Sequence, residues 1–549
     1  MTRILVLGGY GGFGGRIARR LAADGYHVLV AGRSMEKARA FCGRESLLIP
    51  VAVDRQNVAS AIEGHRPAIL VDASGPFQAM DYAVAKACIA AGIHYLDIAD
   101  ARDFVCGIKA LDEAARAACV VVISGASSVP ALSGAVVGHL SAGMETVRSI
   151  EMAISASNRA TAGPAVAAAI LGQVGRAVKL WNGNHWRKGF AWQDFCSIDF
   201  TIPGSKSLRN RWVGLIDVPD LGLLPDRVSG RPAVTFRAGT ELAFQNFLPW
   251  LASWPVRWGW LQSLSALARW LKPLQRLTAW AGSDRSGMTV RVFGFRNGNR
   301  VERNWTLIAS NGDGPEIPAL TIPLLVARIL GGREASGARD AGQSLDLSDY
   351  QFSFDALAIR HEASECALPP SLYARVLGER FMALPPVLQS MHDVLRTGGA
   401  SGEAIVAGAN NPIAEMIARV VGFPPAGNYR LRVDFAEQEG VETWTRTFGR
   451  LKFHSRLHQR GQWIVERFGP LAFAFDLPSD DRGLSMIMRR WWIGPLRMPL
   501  FLAPRSLARE WEDNGRFCFD VPIALPLIGR IVHYSGWLNA PGSENPELA

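Results

Sequence analysis

The sequence predicts an α/β chain: an N-terminal Rossmann unit with a doubly wound parallel sheet, an α+β middle domain, and a C-terminal α+β domain with an antiparallel sheet. Three observations carry this. A strand-like apolar run, Ile4 to Leu7, breaks into a G-x-G-x-x-G turn at Gly9, Gly11 and Gly14 and resumes with helical spacing at Ile17, Ala18 and Leu21. Strand-length and helix-length segments then alternate to about residue 140. From Tyr429 onward, apolar residues recur in the series of short alternating runs that antiparallel strands produce.

In the glycine turn, the first glycine permits the bend, the second lets the backbone approach a pyrophosphate, and the third lets the helix pack on the strand. The unpaired N–H groups and positive dipole end of that helix suit phosphate. The second strand, 27–31, ends in Gly32-Arg33-Ser34, where NAD-selective enzymes carry an acidic residue on the ribose hydroxyls. An Arg and a Ser there suit a 2′-phosphate, so NADP (NADPH) is the expected cofactor; an Arg merely solvated at a strand end is the alternative.

A helix over 35–41 and a strand over 47–53 lead to Asp54, placed to hydrogen-bond an adenine or to cap the next helix. A helix near 58–63 leads to the fourth strand, 68–71, and to Asp72-Ala73-Ser74-Gly75-Pro76-Phe77, a turn that lets backbone pass close to a ligand. A helix over 82–91, a strand over 94–98, a helix over 104–118 and a strand over 120–124 complete the unit, which ends in the turn Gly125-Ala126-Ser127-Ser128-Val129-Pro130. These turns fall at the carboxyl ends of the strands, where open α/β sheets bind ligands.

Length, charge and cysteine content narrow the class. At 549 residues the chain exceeds one core, and we expect domains over 1–140, 141–345 and 369–540. The net charge of +10 is spread among mixed signs, so no nucleic-acid partner is expected. Seven cysteines without a C-x-x-C pair or metal-like spacing point to reduced thiols and no metal site. No leader pattern precedes the first strand, so a cytoplasmic location is expected, with association at a membrane surface left open. No run reaches the roughly 18 apolar residues that span a bilayer.

Taken together, GGYGGFG, the AGR that ends the second strand, DASGPF, AGIHYLDIAD and SGASSVPALSG resemble the saccharopine dehydrogenase-like, NADP-binding oxidoreductases, which include saccharopine reductases and lipid-pathway enoyl reductases. The resemblance is specific over about residues 1–140 and thinner to about 350. It implies that Gly9, Gly11, Gly12, Phe13 and Gly14 hold the pyrophosphate and that Arg33 with Ser34 holds the 2′-phosphate. Ser74, Gly75, Pro76 and Phe77 would lie along the ribose and nicotinamide. Many relatives begin the final turn with Gly-Phe-Asp/Glu; Gly125-Ala126-Ser127-Ser128 departs from this, and no acidic role is carried over there. The C-terminal part resembles a module of unknown function, DUF4166, fused to reductases of this family, which implies an architecture but no chemistry.

In the middle domain we expect a strand over 149–156, a helix over 163–180 with small residues Ala165, Ala167, Ala168 and Ala169, and a mixed sheet from short strands near 196–202, 213–217 and 233–238. The stretch 247–280 carries Trp250, Trp254, Trp258, Trp260, Trp270 and Trp280. It reads as a buried helical pair, as a cover over an apolar substrate, or as an interfacial segment with Arg257, Arg269, Lys272 and Arg276 facing anionic headgroups. A hairpin turns at Arg296-Asn297-Gly298-Asn299, and an apolar helix over 317–330 returns toward the nucleotide unit. Residues 344–368 read as a connector. Beyond it, helices over 373–381, 386–392 and 412–421 and a turn at Gly398-Gly399 precede the strands. Arg489-Arg490-Trp491-Trp492 is either an anionic or lipidic binding edge or a pair of solvated arginines beside a buried Trp.

No G-x-S-x-G, H-E-x-x-H or P-loop is present, so the chemistry is the cofactor's: hydride transfer between NADPH and a carbonyl, imine or enoyl group, with the protein positioning and protonating. Candidate donors at the sheet edge are Tyr95, Asp97, Asp100, Ser127 and Ser128. Of these, Asp97, Tyr95 and Ser128 form the expected catalytic set, with capping or a ribose contact as the competing role for Asp97. A middle domain rich in Trp, Leu and Ala favours a small apolar substrate over saccharopine with its carboxylates. Two other classes stay open: a nucleotide-binding peripheral membrane protein without turnover, and a lipid carrier in which the C-terminal sheet acts alone. A homodimer is compatible with the sequence.

Overall fold

The computed structural model describes residues 2–159, 164–267 and 277–541. Its first unit is a seven-stranded parallel sheet in the order Gly337–Asp340, Val121–Ser124, His94–Asp97, Ile69–Asp72, Arg3–Leu7, His27–Gly32 and Leu48–Ala52. Ile4, Leu5 and Val6 are fully buried, as a strand covered on both faces requires. The order reverses beside the first strand, which puts the switch point next to the glycine turn. The strand furthest in sequence, Gly337–Asp340, pairs with Val121–Ser124, so the chain returns to finish this sheet after building the middle unit. Helix Thr321–Leu330 packs with helix Gly12–Ala23 on the way back.

The middle unit is a seven-stranded mixed sheet in the order Cys196–Phe200, Leu208–Leu215, Ala233–Thr240, Thr146–Ala156, Ser286–Arg296, Asn299–Ala309 and Ile359–Ala367. Its central hairpin turns at Asn297 and Gly298, both with positive φ (51° and 72°), the geometry a two-residue type I′ turn needs. The reading of 163–180 as one helix is corrected: the helix is Pro164–Gln173, and Ala177–Trp181 is a strand paired with Trp186–Phe190. Gly175 separates them with φ 77°, and a side chain there would meet Ser253 O at 2.5 Å. The first residue of that expected helix, Gly163, and the side chain of Ala165 lie outside the described residues. The 344–368 connector is also corrected, for it holds helix Gln351–Asp355 and the edge strand Ile359–Ala367, whose mostly exposed side chains leave no burial pattern to read.

The C-terminal unit is the expected antiparallel sheet, closed into a barrel of 10 strands. Thr397–Ala407 pairs on one side with Gly427–Gln438 and on the other with Gly529–Asn539. Leu471–Asp476 pairs with Gly483–Ile493 to close the ring, which removes both open edges. Short strand Leu496–Met498 flanks the closing strand. Gly398 and Gly399 lie inside strand Thr397–Ala407, not at a turn; a Cβ on Gly399 would meet the side chain of Asn182 at 2.4 Å, so the glycine admits the middle unit. In the basic and aromatic cluster, Trp491 is buried and donates its Nε1–H to Pro499 O at 2.9 Å, while Arg489 and Arg490 are exposed.

Barrel and middle sheet are bonded across a polar interface. Arg396 pairs with Glu151 at 3.0 Å, Ser149 bonds Thr397 at 3.1 Å, Ser401 bonds Asn184 at 2.5 Å, and Arg300 pairs with Asp393. All the cysteines are free. Among the described residues no helix is long and apolar enough to cross a membrane, and no group of His, Cys, Asp and Glu could hold a metal ion.

The Trp-rich stretch follows an unexpected pattern. Helix Ala243–Arg257 buries polar Gln245, Asn246 and Ser253 and exposes Phe244, Phe247, Leu248 and Leu251. Its inner face is held by hydrogen bonds: Gln245 Nε2 to Asn158 Oδ1 at 2.8 Å, Asn246 Nδ2 to Thr240 O at 2.9 Å, and Gln193 Nε2 to Ser253 Oγ at 2.9 Å. Along the outside, Phe247, Trp250, Trp254, Trp258 and Trp260 follow one another at centroid distances of 5.4, 6.3, 5.8 and 5.0 Å. Trp260 is 74% exposed and Trp280 82%. Helix Ala243–Arg257 therefore does not bury its aromatic face as a buried helical pair would. Trp270, Arg269, Lys272 and Arg276 lie outside the described residues.

Candidate nucleotide-binding cleft

The glycine turn is shaped by close backbone approaches. Gly8 and Gly9 donate their N–H groups to Ala31 O at 2.8 and 3.0 Å, tying the turn to the second strand. Gly8 has φ 78°, and a Cβ there would lie 2.7 Å from Ala73 O. A Cβ on Gly14 would lie 2.2 Å from Gly8 O, and one on Gly9 would lie 2.8 Å from Val6 O. Any larger residue at these positions pushes helix Gly12–Ala23 off the strand end. The first-turn N–H groups of that helix have no acceptor within it.

Around this turn lies a cleft of about 640 Å³, in the size range of small-molecule sites. Gly11, Gly12 and Phe13 line it beside the helix start; Gly32, Arg33 and Asp54 line it at the ends of the second and third strands. Ser74, Gly75, Pro76 and Phe77 line it after the fourth strand, with Met80, Ile98 and Asp100 beyond them. Helix Pro164–Gln173 contributes Ala169 from the middle unit. These surfaces suit a dinucleotide: backbone N–H groups without side chains for phosphate, an arginine at one end and apolar walls at the other.

Several expected residues meet in this cleft and others do not. Gly9 and Gly14 shape the turn without lining the cleft. Ser34 caps helix Met35–Cys42 by accepting from Lys37 N at 3.3 Å, while its own N–H donates to the Tyr10 hydroxyl at 3.1 Å. Arg33 is exposed and has no hydrogen bond or ion pair among the described residues. Asp54 lines the cleft and also accepts from Gln56 N at 3.0 Å, so it caps the turn Arg55–Asn57.

The expected catalytic set lies off the cleft lining. Asp97 is fully buried and its Oδ1 accepts from Gly125 N at 2.8 Å, Ala99 N at 2.9 Å and Ser124 Oγ at 3.0 Å. That carboxylate joins the fifth strand to the Gly125 turn; burial pushes its pKa up to about 6, against the pull of those three bonds. Tyr95 is fully buried in the core, where burial and the nearby Asp97 hold its phenol well above the ordinary range. Ser128 begins the turn Ser128–Leu132 and is half-buried. Among the candidate proton donors, Asp100 is the one that lines the cleft: it is half-buried, accepts from Gln78 Nε2 at 3.2 Å, and has its carboxyl raised by burial.

Two residues that the sequence did not single out complete the site. Arg55 donates to Asp72 Oδ2 at 2.5 Å and to Ser74 Oγ at 2.9 Å, and Asp72 Oδ1 accepts from Ser74 N and Oγ at 3.0 and 2.6 Å. Tyr10 packs on Gly32, where a Cβ would lie 2.4 Å from its ring. The Tyr sits inside the glycine turn itself, a signal that was available; Arg55 pairs with a residue 17 positions away and gave none.

Comparison with known families agrees with this geometry at both ends of the chain. Residues 4–123 match the saccharopine dehydrogenase NADP binding domain, and residues 384–538 match a domain of unknown function, DUF4166. Among solved structures, saccharopine dehydrogenase (L-Glu forming) from Saccharomyces cerevisiae shares 12% identity over 67% of this chain and 100% of its own, with a TM-score of 0.46. An amine dehydrogenase from Mycobacterium smegmatis shares 12% over 62% of this chain and 95% of its own, with a TM-score of 0.32. GenD2 from gentamicin A biosynthesis, solved with NAD, shares 15% over 67% and 96%, with a TM-score of 0.31. No curated protein matches the chain. The N-terminal unit thus matches the NADP binding domain of saccharopine dehydrogenase, and the C-terminal barrel matches the domain of unknown function DUF4166.

Proposed function

We propose that the chain is an NADPH-dependent oxidoreductase that reduces a carbonyl, imine or enoyl group on an apolar small molecule. The cleft carries this reading. It joins a glycine turn fit for a pyrophosphate to an unpartnered Arg33 at the position where an acid would select NAD. When bound, the cofactor supplies the hydride. Arg33 would hold the 2′-phosphate, and Gly11, Gly12 and Phe13 would hold the pyrophosphate through backbone N–H groups. Phe77, Met80 and Ile98 would form the apolar wall that keeps water from the reacting end.

Asp100 is the proton donor this reading favours. It lines the cleft beside Met80 and Ile98, and the burial that raises its carboxyl helps it keep a proton to give. Asp97 would act as a positioning residue that fixes the strand end next to it. The exposed aromatic ladder supports an apolar substrate reached at a membrane surface, because Trp side chains favour the boundary between acyl chain and water.

The test is NADPH oxidation followed by nicotinamide absorbance across medium-chain aldehydes, ketones and enals, with amino acids and keto acids as the contrasting set. Turnover confined to the apolar set supports the reading; turnover confined to the acids overturns the substrate class. A second reading, a membrane-surface protein that binds nucleotide without turnover, rests on the aromatic ladder alone, and tight NADPH binding with no oxidation of any substrate would favour it.

A further inference from the structure

We infer that the C-terminal barrel is a second ligand site, one that takes an uncharged amphiphile with an apolar body and a hydroxyl end. Inside the barrel lies a cavity of about 170 Å³, slightly larger than an engineered cavity of about 150 Å³ that takes up benzene. Its walls are apolar, from Leu431 and Val433 on one strand to Phe517 and Phe519 on another. Helix Pro412–Val421 covers part of it with Ile417 and Val421. A purely dry cavity would need no more than this.

Five polar residues break the apolar lining: Arg446, Glu466, Ser506, Glu510 and Tyr534. Arg446 donates to Ser455 Oγ at 2.9 Å and stands 3.5 Å from Glu466, while Glu510 pairs with His392 at 2.8 Å. Glu466 Oε1 is buried without a hydrogen bond, with Arg446 as its ion partner, and Tyr534 lines the same cavity. A buried acceptor and a hydroxyl donor thus share one lining. Leaving a buried acceptor without a hydrogen bond is costly, and a ligand hydroxyl relieves this by donating to Glu466 while accepting from Tyr534.

Charge excludes the other amphiphiles. A carboxylate end would meet Glu466 and Glu510, and the single guanidinium already faces one of them. An ammonium end would face the Arg446 guanidinium, and the two carboxylates that could hold it are already paired, Glu466 with Arg446 and Glu510 with His392. The site therefore discriminates by the absence of net charge on its ligand, and it does so in a domain apart from the nucleotide cleft.

The experiment is calorimetric titration of the full chain, without nucleotide, using 1-octanol, octanoate and octylamine as probes of one chain length. The expected result is saturable binding of 1-octanol at a single site, with the two charged probes at least ~10-fold weaker. Tyr534→Phe, which removes one neutral hydrogen bond, should weaken 1-octanol by ~3- to 10-fold. Ala508→Trp, placed in the cavity wall, should abolish binding. No 1-octanol binding, equal binding of octanoate or octylamine, an unchanged Tyr534→Phe, or a folded Ala508→Trp that still binds would each overturn the inference. Should Ala508→Trp not fold, the charge series and Tyr534→Phe decide. Because nucleotide is left out, failure here leaves the oxidoreductase reading standing.

Discussion

Arg55 and Asp72 form an ion pair at the carboxyl end of the parallel sheet, with the guanidinium 2.5 Å from a carboxylate that is fully buried. Through Ser74, which both residues bond, the pair also fixes the turn that lines the cleft. Removing one partner strands the other: Arg55→Leu should destabilise the fold by about 3 kcal/mol, the cost of an unpaired buried charge. Urea denaturation checks this, with an unchanged slope and a lowered midpoint expected. Nucleotide affinity should fall with it.

Asp97 gives the fold a pH dependence of definite sign. Its pKa is pushed up to about 6 in the folded chain, against about 3.9 when unfolded. The stability it contributes is therefore present below pH ~4 and lost as pH rises through ~6, by up to ~3 kcal/mol. Asp97→Asn keeps an oxygen for the three donors and removes the titration. The variant should match wild type at low pH and exceed it at neutral pH in parallel urea melts. Asp220, also raised to about 6 by burial, stays in both proteins and cancels in the difference.

Asp100 separates chemistry from binding. Asp100→Asn should lower kcat by ~10²- to 10⁴-fold, the usual worth of a positioned acid. NADPH affinity should change little. A drop in both together would assign Asp100 to cofactor contact instead.

The aromatic ladder predicts an interaction that the fold does not need. Trp260→Ser and Trp280→Ser remove side chains that are 74% and 82% exposed, so thermal stability should hold. Partitioning onto vesicles of zwitterionic and anionic phospholipid should fall by roughly 10-fold for the pair, in line with lost apolar burial. Co-sedimentation reads this directly.

Local chemistry made the nucleotide unit legible in the sequence. The turn at Gly9 to Gly14 and the strand ends at Arg33, Asp54 and Ser74 sit within a few residues of the elements that place them. Asn297-Gly298 likewise encodes its own turn. What escaped the sequence depends on partners far along the chain. Arg55 matters because of Asp72, and strand Gly337–Asp340 matters because of Val121–Ser124. Barrel closure rests on the pairing of Leu471–Asp476 with Gly483–Ile493, which no local pattern announces. Helix Ala243–Arg257 left three readings open in the sequence, because its inner face is held largely by hydrogen bonds of Gln245, Asn246 and Ser253, whose partners lie elsewhere in the chain.

Titration of NADPH and NADH into the full chain, followed by energy transfer from tryptophan to nicotinamide, tests the central claim most directly when wild type and Arg33→Glu are run side by side. Saturable binding with a clear preference for NADPH is expected in wild type, with loss of that preference in Arg33→Glu. Failure of either nucleotide to bind, or a preference for NADPH that survives Arg33→Glu, would contradict it.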